Sequence, residues 1–286
     1  MIRDDLQRKI DGSIKLLRTI QKAHEGEQIE IAYSGGKDSD VILQLAKEAG
    51  INYRAIYKNT TIDPPGTIAH VRAMGVEIMQ PKRSFFEIIK AKGFPSRFQR
   101  FCCSELKEYK VLDVAVMGIR REESTKRAAR YKEPTQCRFY GSKKIHAELV
   151  YPILDWTLDD VREFILDRNI TLAPVYYDKR GELHVERRLG CIGCPLASKE
   201  HRLAELKQYP TFVRAMCRAA RGYLATHPNC ATVKKYGYKD EYEYLARNLF
   251  FERQDEFDFV RSGGLFGTTE QVDFKQATEK YFNVKL

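Results

Sequence analysis

Gln28-Ile29-Glu30-Ile31-Ala32-Tyr33-Ser34-Gly35-Gly36-Lys37-Asp38-Ser39 is the stretch on which the fold turns. Its first six residues alternate polar and apolar, as a half-buried strand does. Two glycines then break the pattern, and Val41, Ile42, Leu45 and Ala46 resume it at helical spacing. Strand, glycine turn, helix is the layout of a phosphate-binding loop. Gly35 and Gly36 permit backbone conformations that aim successive N–H groups at one point. The helix start adds free donors and partial positive charge. Ser34 and Ser39 offer hydroxyls, Lys37 a point charge, and Asp38 a carboxylate suited to magnesium. The spacing ahead of the lysine is not that of a Walker loop.

Working outward, Leu6, Ile10, Ile14, Leu17 and Ile20 predict an amphipathic helix over residues 4–24. Strands are expected at residues 53–57, 76–79 and 111–117, and helices at 67–74 and 85–92. This alternation implies an α/β fold: a doubly wound, mostly parallel sheet with helices on both faces. Ligands of such sheets sit outside the strand carboxyl ends, where both Ser34 and Gly118 fall. Residues 119–144 read as a basic loop. Thr157 and Asp160 form a capping-box pattern that opens a helix to about residue 168. Helices are expected at 199–208, 211–226, 240–253 and 271–281. The expected division is a nucleotide-binding domain at 1–190 and a cysteine-loop and helical C-terminal part at 191–286, and with the Ser34–Ser39 loop this layout resembles the adenine nucleotide alpha hydrolase-like fold.

The composition is that of a globular chain, 43% hydrophobic and 31% charged. The formal net charge of +10 points to an anionic partner, a nucleotide or a nucleic acid. The charged start Met1-Ile2-Arg3-Asp4-Asp5 lacks an apolar signal core, and no run is long enough to span a bilayer. A cytoplasmic location without membrane attachment is the expectation. Seven cysteines then speak for metal or redox roles over a disulfide framework.

The Ser34–Ser39 sequence resembles the SGGxDS signature of the PP-loop family, the N-type ATP pyrophosphatases. In that family the loop grips pyrophosphate while the α-phosphate is attacked. The resemblance implies ATP and Mg2+ as ligands, with Lys37, Asp38 and Arg120 catalytic. Asp38 is then the magnesium ligand.

Cys102 and Cys103 are adjacent, and Cys191 and Cys194 form Cys-Ile-Gly-Cys before Pro195. Paired thiolates are soft ligands suited to an iron–sulfur cluster or to zinc. The adjacent pair favours a cluster, because structural zinc ligands are mostly spaced wider. Together with Lys107, the run Gly118-Ile119-Arg120-Arg121-Glu122-Glu123-Ser124 and Tyr151-Pro152-Ile153 through Trp156, these cysteines look like the adenylylsulfate and phosphoadenylylsulfate (APS/PAPS) reductase family. That resemblance covers about the first two hundred residues. It implies that Cys102, Cys103, Cys191 and Cys194 hold a [4Fe–4S] cluster, with zinc as the alternative. It also places Gly118, Arg120 and Ser124 against the nucleotide. Arg121, Arg127 and Arg130 are candidates for an anionic substrate, since arginine forks suit phosphate and sulfate oxygens. Cys137, Cys217 and Cys230 show no partner pattern.

Two departures separate the chain from the assimilatory reductases. No cysteine follows Cys230, where those enzymes carry a terminal Glu-Cys-Gly nucleophile, and Ser34–Ser39 is undegraded. The expected activity is therefore ATP cleavage to AMP and pyrophosphate that activates an acceptor for sulfur transfer. The acceptor expected is nucleic acid, DNA ahead of tRNA, as in the pyrophosphatase component of DNA phosphorothioation systems. A cysteine desulfurase is the candidate sulfur donor, and an oligomer is compatible with the sequence. The alternatives are a sulfonucleotide reductase releasing sulfite and a non-catalytic nucleotide-binding subunit.

Overall fold

In the computed structural model, residues 2–140, 142–230, 233–234, 237–249 and 273–286 are described. The chain forms two compact units. The first comprises Met1–Asn59, Asp63–Pro81 and Leu106–Gly190, and the second Thr60–Ile62, Lys82–Glu105 and Cys191–Leu286.

The first unit is built on a six-stranded sheet of order β3-β2-β1-β4-β6-β5. Its strands are β1 (Ile29–Tyr33), β2 (Tyr53–Lys58), β3 (Glu77–Met79), β4 (Val114–Val116), β5 (Thr135–Tyr140) and β6 (Ser142–Val150). β1 pairs in parallel with β2 on one side and β4 on the other. β3 and β6 extend those pairings in parallel, and only β5 runs antiparallel, against β6. The strand order reverses between β1 and β4, which opens a crevice at their carboxyl ends. Helices α1 (Asp4–Ala23), α2 (Lys37–Ala49) and α7 (Leu158–Asp167) bury their apolar stripes in one core with the sheet. Leu6, Ile10, Leu17 and Ile20 of α1 are the buried positions that the helical spacing marks. The remaining helix of the β1–β3 half is α3 (Thr67–Ala73).

The capping box is present as read: Asp160 N–H donates to Thr157 Oγ1 at 3.1 Å, and Thr157 N–H to Asp160 Oδ2 at 2.8 Å. The basic stretch 119–144 is not the expected loop. It holds a 3-10 turn (Arg121–Glu123), helix α6 (Thr125–Arg130), all of β5 and the start of β6. The side chains of Lys143 and Lys144 lie outside the described residues. β5 escapes a hydrophobicity reading because it is an edge strand with no buried residue, half of its residues being exposed, as suits an edge that avoids pairing with other chains.

The second unit holds α4 (Phe85–Lys92), α5 (Phe101–Leu106, apart from its last residue), α8 (Lys199–Gln208), α9 (Pro210–Thr226) and helices Glu241–Leu249 and Phe274–Phe282. α4 packs on α9, where Gly222 leaves room for the Lys90 stem. Tyr223 of α9 stacks on Tyr244 at 5.5 Å between ring centres. The parts of the expected helices at 250–253 and 271–272 lie outside the described residues.

Candidate active site and cysteine cluster

The Ser34–Ser39 loop leaves β1 at its carboxyl end, at the sheet's reversal point. Gly35 has φ +77°, a conformation only glycine adopts freely, and a Cβ there would sit 3.1 Å from Thr67 Cγ2. Ser34 Oγ accepts from Gly36 N–H at 3.3 Å and donates to Ser39 Oγ at 3.2 Å. Ser39 Oγ donates to Gly36 C=O at 2.7 Å, closing the turn on itself. Lys37 N–H donates to the Tyr176 hydroxyl at 3.1 Å. Among the described residues, the N–H groups of Gly35 and Asp38 have no protein partner. Two donors at a helix start thus remain for an anion.

Charge is concentrated behind the loop. Lys37 Nζ lies 3.2 Å from Asp38 Oδ2 and 5.7 Å from the centre of the Tyr176 ring. Arg120, almost fully buried, donates from Nε to Asp38 Oδ1 at 2.7 Å and from NH1 to Glu122 Oε2 at 2.7 Å. Burial works against the Arg120 charge, but the Asp38 and Glu122 carboxylates overcome it and hold the guanidinium above its ordinary value. Gly118 makes this contact feasible: a Cβ on it would be 2.8 Å from both the carbonyl carbon and oxygen of Asp38. Lys37, Asp38, Gly118 and Arg120 are therefore one constellation.

The other basic candidates are placed differently. Arg121 donates to Tyr131 C=O at 2.9 Å and pairs with Asp155 and Lys132 C=O, so it braces the turn. Ser124 caps α6, its hydroxyl accepting from Arg127 N–H at 3.2 Å. Arg127 pairs with Glu123, and Arg130 is exposed with its guanidinium 5.4 Å from the Tyr131 ring centre. In this conformation Arg121 and Arg127 serve internal ion pairs, whereas Arg130 stays open to solvent.

Several polar residues of the site carry no sequence signal. Tyr176 sits on a 3-10 turn (Pro174–Tyr176) 139 positions from the N–H it accepts. Tyr33, Asp40 and His70 form a buried network. A cavity of about 150 Å³ lies against the sheet and is lined in part by Tyr33, Ser34, Tyr57, Lys58, Lys107 and Arg138. Lys58 reaches buried Glu30 at 3.3 Å, and Lys107 lies 4.0 Å from Asp63. Only the spatial neighbourhood reveals these pairs.

In the second unit, Cys102 and Cys103 open α5, and Cys191 and Cys194 flank a tight turn. Cys194 N–H donates to Cys191 C=O at 3.2 Å, with Gly193 at φ +69° in the third position, which requires a left-handed residue. Gly193 N–H donates to Glu205 Oε2 at 3.1 Å, fixing the turn to α8. The four thiols are partly buried and none is in a disulfide. A hydrogen bond to Cys103, then burial and the nearness of Cys103 and Cys191, push the Cys102 thiol far above its ordinary range. Bound iron or zinc would relieve that crowding, because a coordinated thiol is held deprotonated. The donor set thus fits a soft metal centre. Among the described residues no three cysteine sulfurs lie within 4.8 Å of one another. A tetrahedral zinc, with bonds near 2.3 Å, would hold them about 3.8 Å apart. Among the described residues, the grouping of possible ligands that does lie that close is Asp178, Glu182 and His184 on a surface turn. There Asp178 Oδ1 accepts Arg180 and Glu182 N–H groups, and His184 Nδ1 bonds Glu186.

The model of the phosphoadenosine phosphosulfate reductase domain matches residues 28–197. An uncharacterised protein of Methanocaldococcus jannaschii is 28% identical over 233 residues, covering 73% of this chain and 54% of that protein. The chain thus spans about half the length of that relative. Sulfate adenylyltransferase subunit 2 of Shewanella baltica is 23% identical over 305 aligned positions, covering 95% of each. The phosphoadenylyl-sulfate (PAPS) reductase of Candida auris, solved as a phosphate complex, superposes with a TM-score of 0.46 at 16% identity, covering 67% of this chain and 96% of that one. No helix among the described residues is long and apolar enough to cross a membrane. With more than half its length matched by the domain model, the chain belongs to the phosphoadenosine phosphosulfate reductase domain family.

Proposed function

We propose that the protein is an ATP pyrophosphatase that adenylates an acceptor for sulfur transfer, with nucleic acid, DNA ahead of tRNA, as the acceptor. The observation that carries this reading is the complete loop Ser34–Ser39. Its two unpartnered N–H groups and a lysine–aspartate–arginine set stand at the carboxyl end of the central strand. In the reaction, an acceptor oxygen forms a bond to the α-phosphorus of ATP. The bond from the α-phosphorus to the bridging oxygen breaks, and pyrophosphate leaves with that oxygen and the electron pair. The Gly35 and Asp38 N–H groups and the Ser34 and Ser39 hydroxyls hold the outer phosphates, and Lys37 stabilises the charge that builds on the departing oxygen. Asp38 would hold magnesium, which would further neutralise the triphosphate. Arg120 orients Asp38 from behind. A sulfur nucleophile, provided by a partner such as a cysteine desulfurase, then displaces AMP.

Cys102, Cys103, Cys191 and Cys194 are proposed as the ligands of a [4Fe–4S] cluster, which would supply a redox-active or sulfur-binding centre. The adjacent pair Cys102 and Cys103 supports a cluster over zinc, because structural zinc ligands are mostly spaced wider. A second reading takes sulfate as the acceptor. It is favoured by the alignment to sulfate adenylyltransferase subunit 2 across 95% of both chains.

Product analysis decides among these. Anaerobically purified protein is given magnesium and ATP with DNA, with tRNA or with sulfate, and separately APS and PAPS. The proposal expects AMP and pyrophosphate, dependent on nucleic acid and a sulfur donor, and at least a hundredfold slower in Lys37→Ala. Formation of adenylylsulfate would give the second reading. Sulfite from APS or PAPS, without ATP cleavage, would make the protein a reductase.

A further inference from the structure

Tyr33, Asp40 and His70 have no part in the chemistry above, yet they form a polar cluster inside the hydrophobic core. All three are more than nine-tenths buried, and Asp40 is wholly so. His70 Nε2 lies 3.0 and 3.1 Å from the two Asp40 carboxylate oxygens and 2.9 Å from the Tyr33 hydroxyl. The Tyr33 hydroxyl also donates to Asp40 Oδ1. With Tyr33 donating to Asp40, the ring nitrogen facing the carboxylate is Nε2–H, a donor to both oxygens. A buried carboxylate is expensive unless its acceptors are filled, and here two donors fill them.

The placement in the chain gives the cluster its meaning. Tyr33 immediately precedes Ser34 and Asp40 immediately follows Ser39, so the pair brackets the whole loop. His70 belongs to α3, whose Thr67 and Val71 methyls lie 3.1 and 3.6 Å from a Cβ built on Gly35. One element therefore both joins the loop's two ends through hydrogen bonds and presses on its first glycine. Burial raises the Asp40 carboxyl above its usual range, and the His70 and Tyr33 bonds oppose that rise.

We infer that Tyr33, Asp40 and His70 are a clasp that presets the spacing of the Ser34–Ser39 loop, and that they act as positioning residues for pyrophosphate-group binding. This rests on the proposed role of the loop. Without the clasp, the loop amides must be ordered by the ligand itself, and affinity falls by that ordering penalty.

Two measurements test it. Hydrogen exchange of the Gly35–Ser39 amides reads loop order without any ligand. Titration calorimetry with magnesium pyrophosphate reads affinity. His70→Ala and Tyr33→Phe should speed exchange of the loop amides and weaken pyrophosphate by about tenfold or more. His70→Gln, whose amide nitrogen can donate from near the Nε2 position, should restore most of both. Val161→Ala, a core truncation in α7, controls for general loss of stability and should leave both readouts near wild type. If His70→Ala does not fold, Tyr33→Phe carries the test. Unchanged loop exchange and affinity in the variants, or equal changes in Val161→Ala, would overturn the clasp. Wild-type protein that binds neither pyrophosphate nor ATP would sink the loop's proposed role, while exchange of the loop amides would still decide whether the clasp orders it.

Discussion

Gly118 is the residue where the fold and the candidate site constrain each other most tightly. It follows β4 by two residues and lies against the Asp38 backbone so closely that any Cβ would fall 2.8 Å from main-chain atoms. Neither partner is a flexible side-chain tip, so the strain cannot relax locally. Gly118→Ala should cost about 2 kcal/mol of stability, the scale of overpacking in a filled site. It should also displace Asp38 from Arg120, so the proposed ATP cleavage should fall well beyond what the lost stability explains. Urea unfolding alongside turnover at saturating ATP checks this, and a stable, fully active variant would refute the tight contact. The sequence makes Gly118 visible because it ends an apolar strand before a basic run. It makes Ser34–Ser39 visible because strand, glycines and helix are consecutive. It cannot show Tyr176 or His70, since each reaches the loop only after distant segments fold beside it.

At the scale of elements, the N-terminus of α7 shows a local signal completed by long-range partners. Thr157 and Asp160 are legible as a capping box, but the sequence does not reveal that Lys9 and Arg3 close on the same carboxylate, at 2.7 and 2.8 Å. Burial alone would raise the Asp160 carboxyl, but the Lys9 bond and the Thr157 cap outweigh it and hold it below the usual carboxylate range. The folded value lies below the unfolded one, so this group contributes stability that is full above the ordinary carboxylate range. That contribution is lost as the pH falls through the depressed folded value. Asp160→Ala should therefore destabilise by about 2 kcal/mol at neutral pH, combining the cap and a charge-assisted bond. The difference from wild type should shrink as the pH drops below 4. Chemical unfolding at several pH values tests it, and a difference that grew toward acid would contradict the sign. The long amphipathic helices and the parallel strands were readable because each carries its own periodicity. α6 and β5 were not: α6 spans six residues, and β5 is an exposed, cation-bearing edge.

For the molecule as a whole, the net charge of +10 is informative only after internal pairing is subtracted. Arg120, Arg121, Arg127 and Arg138 are each committed to a carboxylate. Their contribution to an external field is largely cancelled, and they are unsuited to gripping a polyanion without first breaking those pairs. Lys126, Arg130 and Lys132 differ, being exposed and without an ion pair among the described residues. They cluster on and just after α6, in the same run that holds Arg120. If the acceptor is nucleic acid, these side chains are the ones that replace condensed counterions along its backbone. Each phosphate they neutralise should steepen the dependence of log affinity on log salt by about 0.9 for duplex DNA. The triple variant Lys126→Glu, Arg130→Glu, Lys132→Glu should thus bind duplex DNA more weakly at 50 mM salt, with a slope shallower by up to about 3. Its ATP affinity should be unchanged, because none of the three contacts the loop. Fluorescence anisotropy across a salt series measures the slope. An unaltered slope in the triple variant would remove this patch as the acceptor contact. Wild-type affinity indifferent to salt would instead remove nucleic acid as the acceptor and leave the sulfate reading in its place.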